Sequence, residues 1–124
     1  MTLGLSMIVK NEEQVLSRAL DSIVGAVDEI VIVDTGSTDN TVQIAHRYTD
    51  KVFSFDWVND FSAARNFALS KITTDYWMWL DADDVVPQET FSAIKRIKKN
   101  YISAMHHVQS RLNTVGFSSL ISSI

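Results

Sequence analysis

The sequence predicts an α/β domain: a mainly parallel β-sheet with helices on both faces. Three observations carry that expectation. Four short apolar runs, rich in β-branched and aromatic residues, alternate with segments of helical spacing. Strand and helix alternate three times, the order of βαβ units whose right-handed crossovers make strands parallel. Each strand run also ends on a polar or charged residue, where an open parallel sheet binds its ligands.

The first run, LGLSMIV (3–9), reads as a buried strand; it is too short and lacks the basic leader of a signal peptide. After Asn11, residues Val15, Leu16, Ala19, Leu20, Ile23 and Val24 form one apolar stripe of helical period. Asn11 is the expected cap of that helix, with Gln14 reaching back and Gly25 ending it. The second strand is EIVIV (29–33), followed by the turn VDTGSTDNT (33–41). In that turn Gly36 permits a tight bend, and Thr38 or Asp39 can cap a second helix burying Val42, Ile44 and Ala45, with Tyr48 as a further candidate.

KVFSF (51–55) is the third strand. A third helix begins near Asp60–Ser62 and carries Phe61, Ala64, Ala68 and Leu69 on one face. YWMWL (76–80) is the fourth strand, and Pro87 suits the first turn of a fourth helix through Phe91, Ile94 and Ile97. Residues 1–100 are expected to form the α/β domain. Residues 101–124, with scattered apolar positions and many serines, read as a C-terminal tail of weak pattern.

Composition bounds the function. At 124 residues, 46% hydrophobic and 21% charged, the chain is an ordinary globular domain. A net charge of −4 argues against nucleic acid as the partner. With no cysteine, disulfides, thiolate zinc sites and cysteine nucleophiles are excluded, which fits a cytoplasmic setting. No run approaches the length of about 20 apolar residues that spans a bilayer. The patterns G-x-x-x-x-G-K-[ST] and G-x-G-x-x-G are absent, so kinases, GTPases and dinucleotide dehydrogenases fit poorly.

The stretch WMWLDADD (77–84) places Asp81, Asp83 and Asp84 directly after a strand. With Asp34 and Lys10 at other strand ends, these residues converge on one rim, and converging ionisable groups indicate a site. The plainer alternative, polar strand ends meeting water, suffices for Asp56. Asp81 and Asp83 offer hard oxygens with no His or Cys nearby, a donor set for Mg2+ or Mn2+. Mg2+ usually shares its shell with phosphates, so a phosphorylated ligand is implied. Arg65 in FSAARNFAL could clamp a phosphate or simply decorate a helix surface. Asp34 could accept hydrogen bonds from a base or ribose.

Other signals favour structural readings. His106-His107 has no second ligand pair. The run Lys95 to Lys99 complements a helix end. Trp57, Trp77 and Trp79 read as packing, with Trp57, beside a strand end, the one placed to do more.

SMIVKNEE, DEIVIVDTGSTDNTVQIA, NDFSAARNFAL and WMWLDADD, in that order and spacing, resemble the N-terminal part of family-2 inverting glycosyltransferases over roughly residues 3–90. The likeness is closest to the bacterial subgroup with VKNEE on its first strand, which includes lipooligosaccharide glucosyltransferases. The resemblance implies a truncated A-type, Rossmann-like fold that binds a UDP-sugar donor. It places Val9, Lys10 and Glu12 at the uridine and ribose end, Asp34 at the base and Arg65 near the diphosphate. Asp81 and Asp83 become the Asp-x-Asp motif, with Asp83 the principal ligand of Mg2+ or Mn2+ and Asp81 turned toward the ribose or the metal's waters.

The implied reaction is displacement at the anomeric carbon by an acceptor hydroxyl of a glycan, lipid or protein, aided by a carboxylate base. The family's base lies after the Asp-x-Asp strand, and no Asp or Glu follows Glu89 here. The donor half is therefore expected without its catalytic half, in a cytosolic or membrane-peripheral setting. Such a half-domain would expose apolar surface and could self-associate. The rival expectation is a nucleotide-sugar-binding or assembly module that does not transfer. A phosphatase using an aspartyl nucleophile fits less well, because its motif is expected on the first strand.

Overall fold

The computed structural model describes residues 2–100. Four strands, β1 (Leu3–Val9), β2 (Glu29–Asp34), β3 (Val52–Ser54) and β4 (Tyr76–Trp79), form one sheet in the order β3-β2-β1-β4. Every pairing is parallel: Val9 lies opposite Asp34, Ser6 opposite Trp79, and Asp34 opposite Ser54. The register therefore aligns the carboxyl ends of β1, β2 and β3, and brings the end of β4 to the same rim. Helices α1 (Leu16–Asp21), α2 (Thr41–Ala45), α3 (Phe61–Leu69) and α4 (Gln88–Asn100) connect and follow the strands.

Strand alternation decides which face each helix covers. Leu3, Leu5, Met7 and Val9 join Ile30, Ile32 and Met78 on one face. There they bury Leu16, Ala19 and Leu20 of α1, Ile44 and Ala45 of α2, and Ala93, Ile94 and Ile97 of α4. On the other face Val31 and Val33 meet Ala68 of α3, with Ile8, Phe53, Phe55, Phe67 and Ile72 packed around them. Helices on both faces, as the sequence predicts, follow from strands apolar at consecutive positions.

The boundaries differ where polar side chains find distant partners. Asn11 does not cap α1: the helix starts five residues later, after Val15, with no side-chain cap. Asn11 sits instead in the left-handed region (φ 53°), and its Oδ1 accepts from the Thr38 N–H at 2.8 Å. Gly25 does not end α1 either. It lies inside a 3₁₀ turn, Val24–Ala26, where a Cβ would come within 3.1 Å of the Phe91 ring. The expected cap of α3 holds: Asp60 accepts from the Ser62 and Ala63 N–H groups. On α3, Ala64 and Ala68 are buried while Phe61 is 47% exposed, so the expected apolar face is only half used by the core.

The basic run in α4 has a more specific role than complementing a helix end. Lys98 Nζ pairs with Asp28 at 2.8 Å, and Lys95 lies 5.6 Å from the Phe91 ring centroid. The expected tail, 101–124, and His106-His107 lie outside the described residues. Among the described residues no helix is long and apolar enough to cross a membrane.

Candidate functional site

The rim at the carboxyl ends of the strands is built from two loops that lock each other. The residues after β1 and those after β2 exchange a ladder of bonds between backbone N–H groups and side-chain oxygens. Asn11 N–H donates to Ser37 Oγ (2.8 Å), Glu12 N–H to Thr41 Oγ1 (2.8 Å) and Glu13 N–H to Asp39 Oδ2 (3.4 Å). In return Thr38 N–H donates to Asn11 Oδ1 (2.8 Å) and Asn40 N–H to Glu13 Oε2 (3.0 Å). Asn11 and Glu13 of the first loop and Ser37, Asp39 and Thr41 of the second thus each accept a backbone N–H from the other loop. Periodicity gives no sign of this, because the partners are 26 to 29 residues apart.

Asp34 ends β2, is 5% exposed, and holds the turn that follows. Its Oδ2 accepts from the N–H groups of Gly36 (3.2 Å) and Ser37 (3.0 Å), and its Oδ1 from the Ser37 hydroxyl. Gly36 has φ 112°, the conformation expected of the residue that makes this bend.

A pocket of about 270 Å³ opens beside this turn, lined by Ile8, Val9, Lys10, Glu12, Thr35, Trp57 and Phe61. Three expected site residues, Val9, Lys10 and Glu12, meet there. Asp34 does not line it. Trp57 is not core packing: it is 45% exposed, and its Nε1 donates to Asn59 Oδ1 at 3.0 Å. Thr35 and Ile8 carry no site signal in the sequence, and Phe61 reads there only as part of the apolar face of α3. Thr35 is placed by its N–H and hydroxyl, both donating to the Val9 carbonyl (3.0 and 3.2 Å).

After β4 the chain alternates inward and outward. Leu80 and Ala82 are buried, so Asp81 and Asp83 face solvent. The turn closes with the Asp84 N–H donating to the Asp81 carbonyl at 3.0 Å. It is tied to α1 by the Arg18 guanidinium on the Asp83 carbonyl (3.3 Å) and by the Val86 N–H on Ser22 Oγ (2.8 Å). One carboxylate oxygen each from Asp81, Asp83 and Asp84 lie within 4.8 Å of one another. Among the described residues no lysine or arginine forms an ion pair with any of the three.

The charge crowding reaches further groups. Burial, and then the charges of Asp81 and Asp83, push the Asp84 carboxyl above its ordinary range. Glu12 is raised by burial and by the charges of Asp83, Asp39 and Asp81, which places it electrostatically beside the acidic turn. The β1 loop and the β4 turn therefore share one negative field. Carboxylates so arranged, without protein cations, are suited to a divalent ion.

Arg65 stands on α3 with its guanidinium carbon 4.5 Å from the Trp79 ring centroid and 5.0 Å from that of Phe61. Its Nε is buried and has no hydrogen-bond partner. A helix-surface ornament would reach into water, and this side chain lies under aromatic rings instead.

A family model described as Glycosyl transferase family 2 matches residues 5–117. Among curated relatives, a TPR repeat-containing protein of Synechococcus elongatus is 41% identical over 92 residues, 74% of this chain and 23% of that protein. An uncharacterized glycosyltransferase of Rickettsia typhi is 36% identical over 101 residues, 82% of this chain and 32% of that protein. The chain thus spans about a quarter to a third of the length of these relatives. Among solved structures, glucosyl-3-phosphoglycerate synthase of Mycobacterium tuberculosis, in complex with Mg2+ and uridine diphosphate, aligns with a TM-score of 0.62 at 25% identity, covering 73% of this chain and 36% of that one. TarS of Staphylococcus aureus, residues 1–349, aligns with a TM-score of 0.61 at 24% identity, covering 80% of this chain and 33% of that one, a likeness of fold alone. The sheet and its helices are those of the A-type, Rossmann-like fold that the sequence predicts.

Proposed function

This chain belongs to glycosyl transferase family 2, and we propose that it forms the donor-binding part of a metal-dependent transferase that takes a UDP-sugar and passes its hexose, with inversion, to an acceptor hydroxyl. The observation that carries the reading is the acidic turn: carboxylate oxygens of Asp81, Asp83 and Asp84 within 4.8 Å of one another, the first two exposed, and no ion pair to any of the three among the described residues. The synthase of M. tuberculosis with Mn2+ and UDP-glucose, 25% identical to this chain, supports it as an analogy of site and ligand.

A divalent cation fits this donor set. The oxygens are hard; burial first and then the neighbouring carboxylate charges raise Asp84 and Glu12, and a 2+ charge would relieve the repulsive part. Asp83 would be the principal ligand, with Asp81 toward the ribose or the metal's waters. When bound, the ion supplies Lewis-acid stabilisation of the charge on the departing UDP.

The chain's own residues do the rest of the donor binding. Val9, Lys10 and Glu12 form the wall for uridine and ribose, and Trp57 and Phe61 supply its apolar side. Asp34 uses three of roughly four carboxylate lone-pair positions on its own turn. One position remains for a base N–H or a ribose hydroxyl. Arg65 presents charge-assisted donors to the diphosphate. The acceptor would attack from the face opposite the leaving group, and no described residue is assigned as the base that takes its proton.

The testing experiment is calorimetric titration with UDP, with and without Mn2+, on wild type and Asp83→Asn. The expected result is binding that needs both the metal and Asp83, with an affinity loss of at least about a hundredfold in the variant. Equal binding by the two proteins, or none by wild type, would refute the reading. Metal-dependent binding with no sugar transfer to any acceptor would leave the binding-module alternative in its place.

A further inference from the structure

Two cation–π contacts, on Trp79 and Phe61, define the surroundings of Arg65. Lys98 and Lys51, at the opposite rim of the sheet, have carboxylate partners instead. Arg65 has none among the described residues; its guanidinium carbon lies over the rings of Trp79 and Phe61, at 4.5 and 5.0 Å. A guanidinium paired with a carboxylate gives up two in-plane donors to it. One stacked between rings keeps its donors, and its plane is fixed.

The clamp is itself fixed. Trp79 is 5% exposed, and Trp77 meets its ring edge-on at 5.6 Å. Three polar atoms are buried without a partner: Arg65 Nε, Trp79 Nε1 and Ser6 Oγ. Ser6 and Trp79 are direct neighbours in the sheet, and Arg65 covers Trp79, so all three gather under α3. Among the described residues no hydrogen bond holds Arg65 Nε, and the aromatic faces of Trp79 and Phe61 flank the guanidinium. Phe61, the second ring, also lines the pocket holding Val9, Lys10 and Glu12, so one ring meets both Arg65 and that pocket.

We propose that Phe61 and Trp79 are positioning residues that hold the Arg65 guanidinium as a preformed receptor for a nucleoside diphosphate, an inference resting on the donor-site reading above. The stacked plane points the two terminal nitrogens, rather than a freely turning charge, at the diphosphate. Lysine, a point charge without a plane, cannot replace arginine there.

The test is a double-mutant cycle read by calorimetry with UDP and Mn2+: wild type, Phe61→Leu, Arg65→Ala and the double variant, with Phe61→Tyr as the conservative rescue. Phe61 is 47% exposed, so its substitution spares the core, and thermal unfolding of each variant checks this. Phe61→Leu is expected to weaken UDP about fivefold in wild type and less than about twofold once Arg65 is absent, while Phe61→Tyr binds as wild type. Equal losses from Phe61→Leu in both backgrounds would make Phe61 a pocket wall only and overturn the proposal. No loss in either background would overturn it too. Failure of wild type to bind UDP would instead remove the donor-site reading and this inference with it, so the two failures are distinct. Trp79→Phe, which keeps a ring, is expected to retain most of the affinity; a loss as large as that of Arg65→Ala would also count against the proposal.

Discussion

The amino-end rim of the sheet and the acidic turn after β4 are both rich in carboxylates, and they treat them in opposite ways. At the amino ends of the strands Asp28 pairs with Lys98 and accepts from the Leu3 N–H (2.9 Å). Glu29 pairs with Lys51 and accepts from the N–H and hydroxyl of Thr73 (2.7 and 2.6 Å). At the end of β4 Asp81, Asp83 and Asp84 crowd together, and none of them has an ion-pair partner among the described residues. The Lys98 hydrogen bond holds Asp28 below its ordinary range; for Glu29, burial raises the carboxyl but Lys51 and Thr73 together outweigh it and lower it. Asp84 and Glu12 go the other way. A carboxylate surrounded by donors is part of the scaffold. A group of them left without donors is stable only because it stays near water, and it is ready for a cation the protein does not supply.

The largest effect expected from breaking this contrast is at Glu29. Its side chain is nearly buried, and Glu29→Ala removes three hydrogen bonds and strands the Thr73 N–H together with the Lys51 ammonium. Charged hydrogen bonds are worth about 1.5–3 kcal/mol each, but Lys51 can recover water. A net loss of about 3 kcal/mol is expected, measured as a fall in the urea midpoint at unchanged slope. A variant as stable as wild type would show that this rim is no more scaffold than the other.

The carboxyl rim has order of a different kind, from backbone N–H groups of each loop donating to side-chain oxygens of the other. Asn11→Ala tests it: the change deletes the acceptor for the Thr38 N–H and forces alanine into the left-handed region. Together these cost about 1–2 kcal/mol. Asn11→Gly loses the bond but not the backbone freedom, so it is expected to be less damaging. Urea unfolding of the pair separates the two contributions, and alanine and glycine variants of equal stability would assign the whole effect to the hydrogen bond.

How far the sequence reveals this contrast depends on the reach of each interaction. The four strands and the outward Asp81 and Asp83 are legible because alternation and apolar runs are local properties. Asp60 as a cap is legible for the same reason, its partners being two and three residues on. Asn11 has the composition of a cap but a better partner in Thr38, 27 residues away, and no periodic pattern contains that choice. The pairing of Glu29 with Thr73 spans 44 residues and requires β1 and β4 to be adjacent first. Arg65 is the clearest case: as a helical arginine it was indistinguishable from a surface residue until Trp79 arrived from another strand. Its chemistry is tertiary.

The smallest effect expected, and the sharpest test of the comparison, is Asp83→Asn without metal. Removing a charge from the acidic turn relieves repulsion on Asp84 and Glu12, so stability should change by no more than about 0.5 kcal/mol, and upward. The pH dependence carries the sign. Asp28 and Glu29, lowered in the folded state, contribute stability that is present above their unfolded values of about 4 and lost as pH falls through the folded ones. Glu12 and Asp84, raised in the folded state, bind protons more readily folded than unfolded, so their contribution grows as pH falls through their folded values, above 4.5 and 3.8 respectively. Metal-free wild type should therefore gain slightly in urea midpoint as pH falls from neutral through the folded values of Glu12 and Asp84, and lose stability as pH falls further through those of Asp28 and Glu29. Asp83→Asn should reduce the gain, leaving the part that burial sets, and should leave the loss. Saturating Mn2+ should abolish the gain in wild type, since the ion and the protons compete for the same oxygens. A gain that persists unchanged in Asp83→Asn would mean that the crowding of Asp81, Asp83 and Asp84 is not what sets the acidic turn apart from the rim below it.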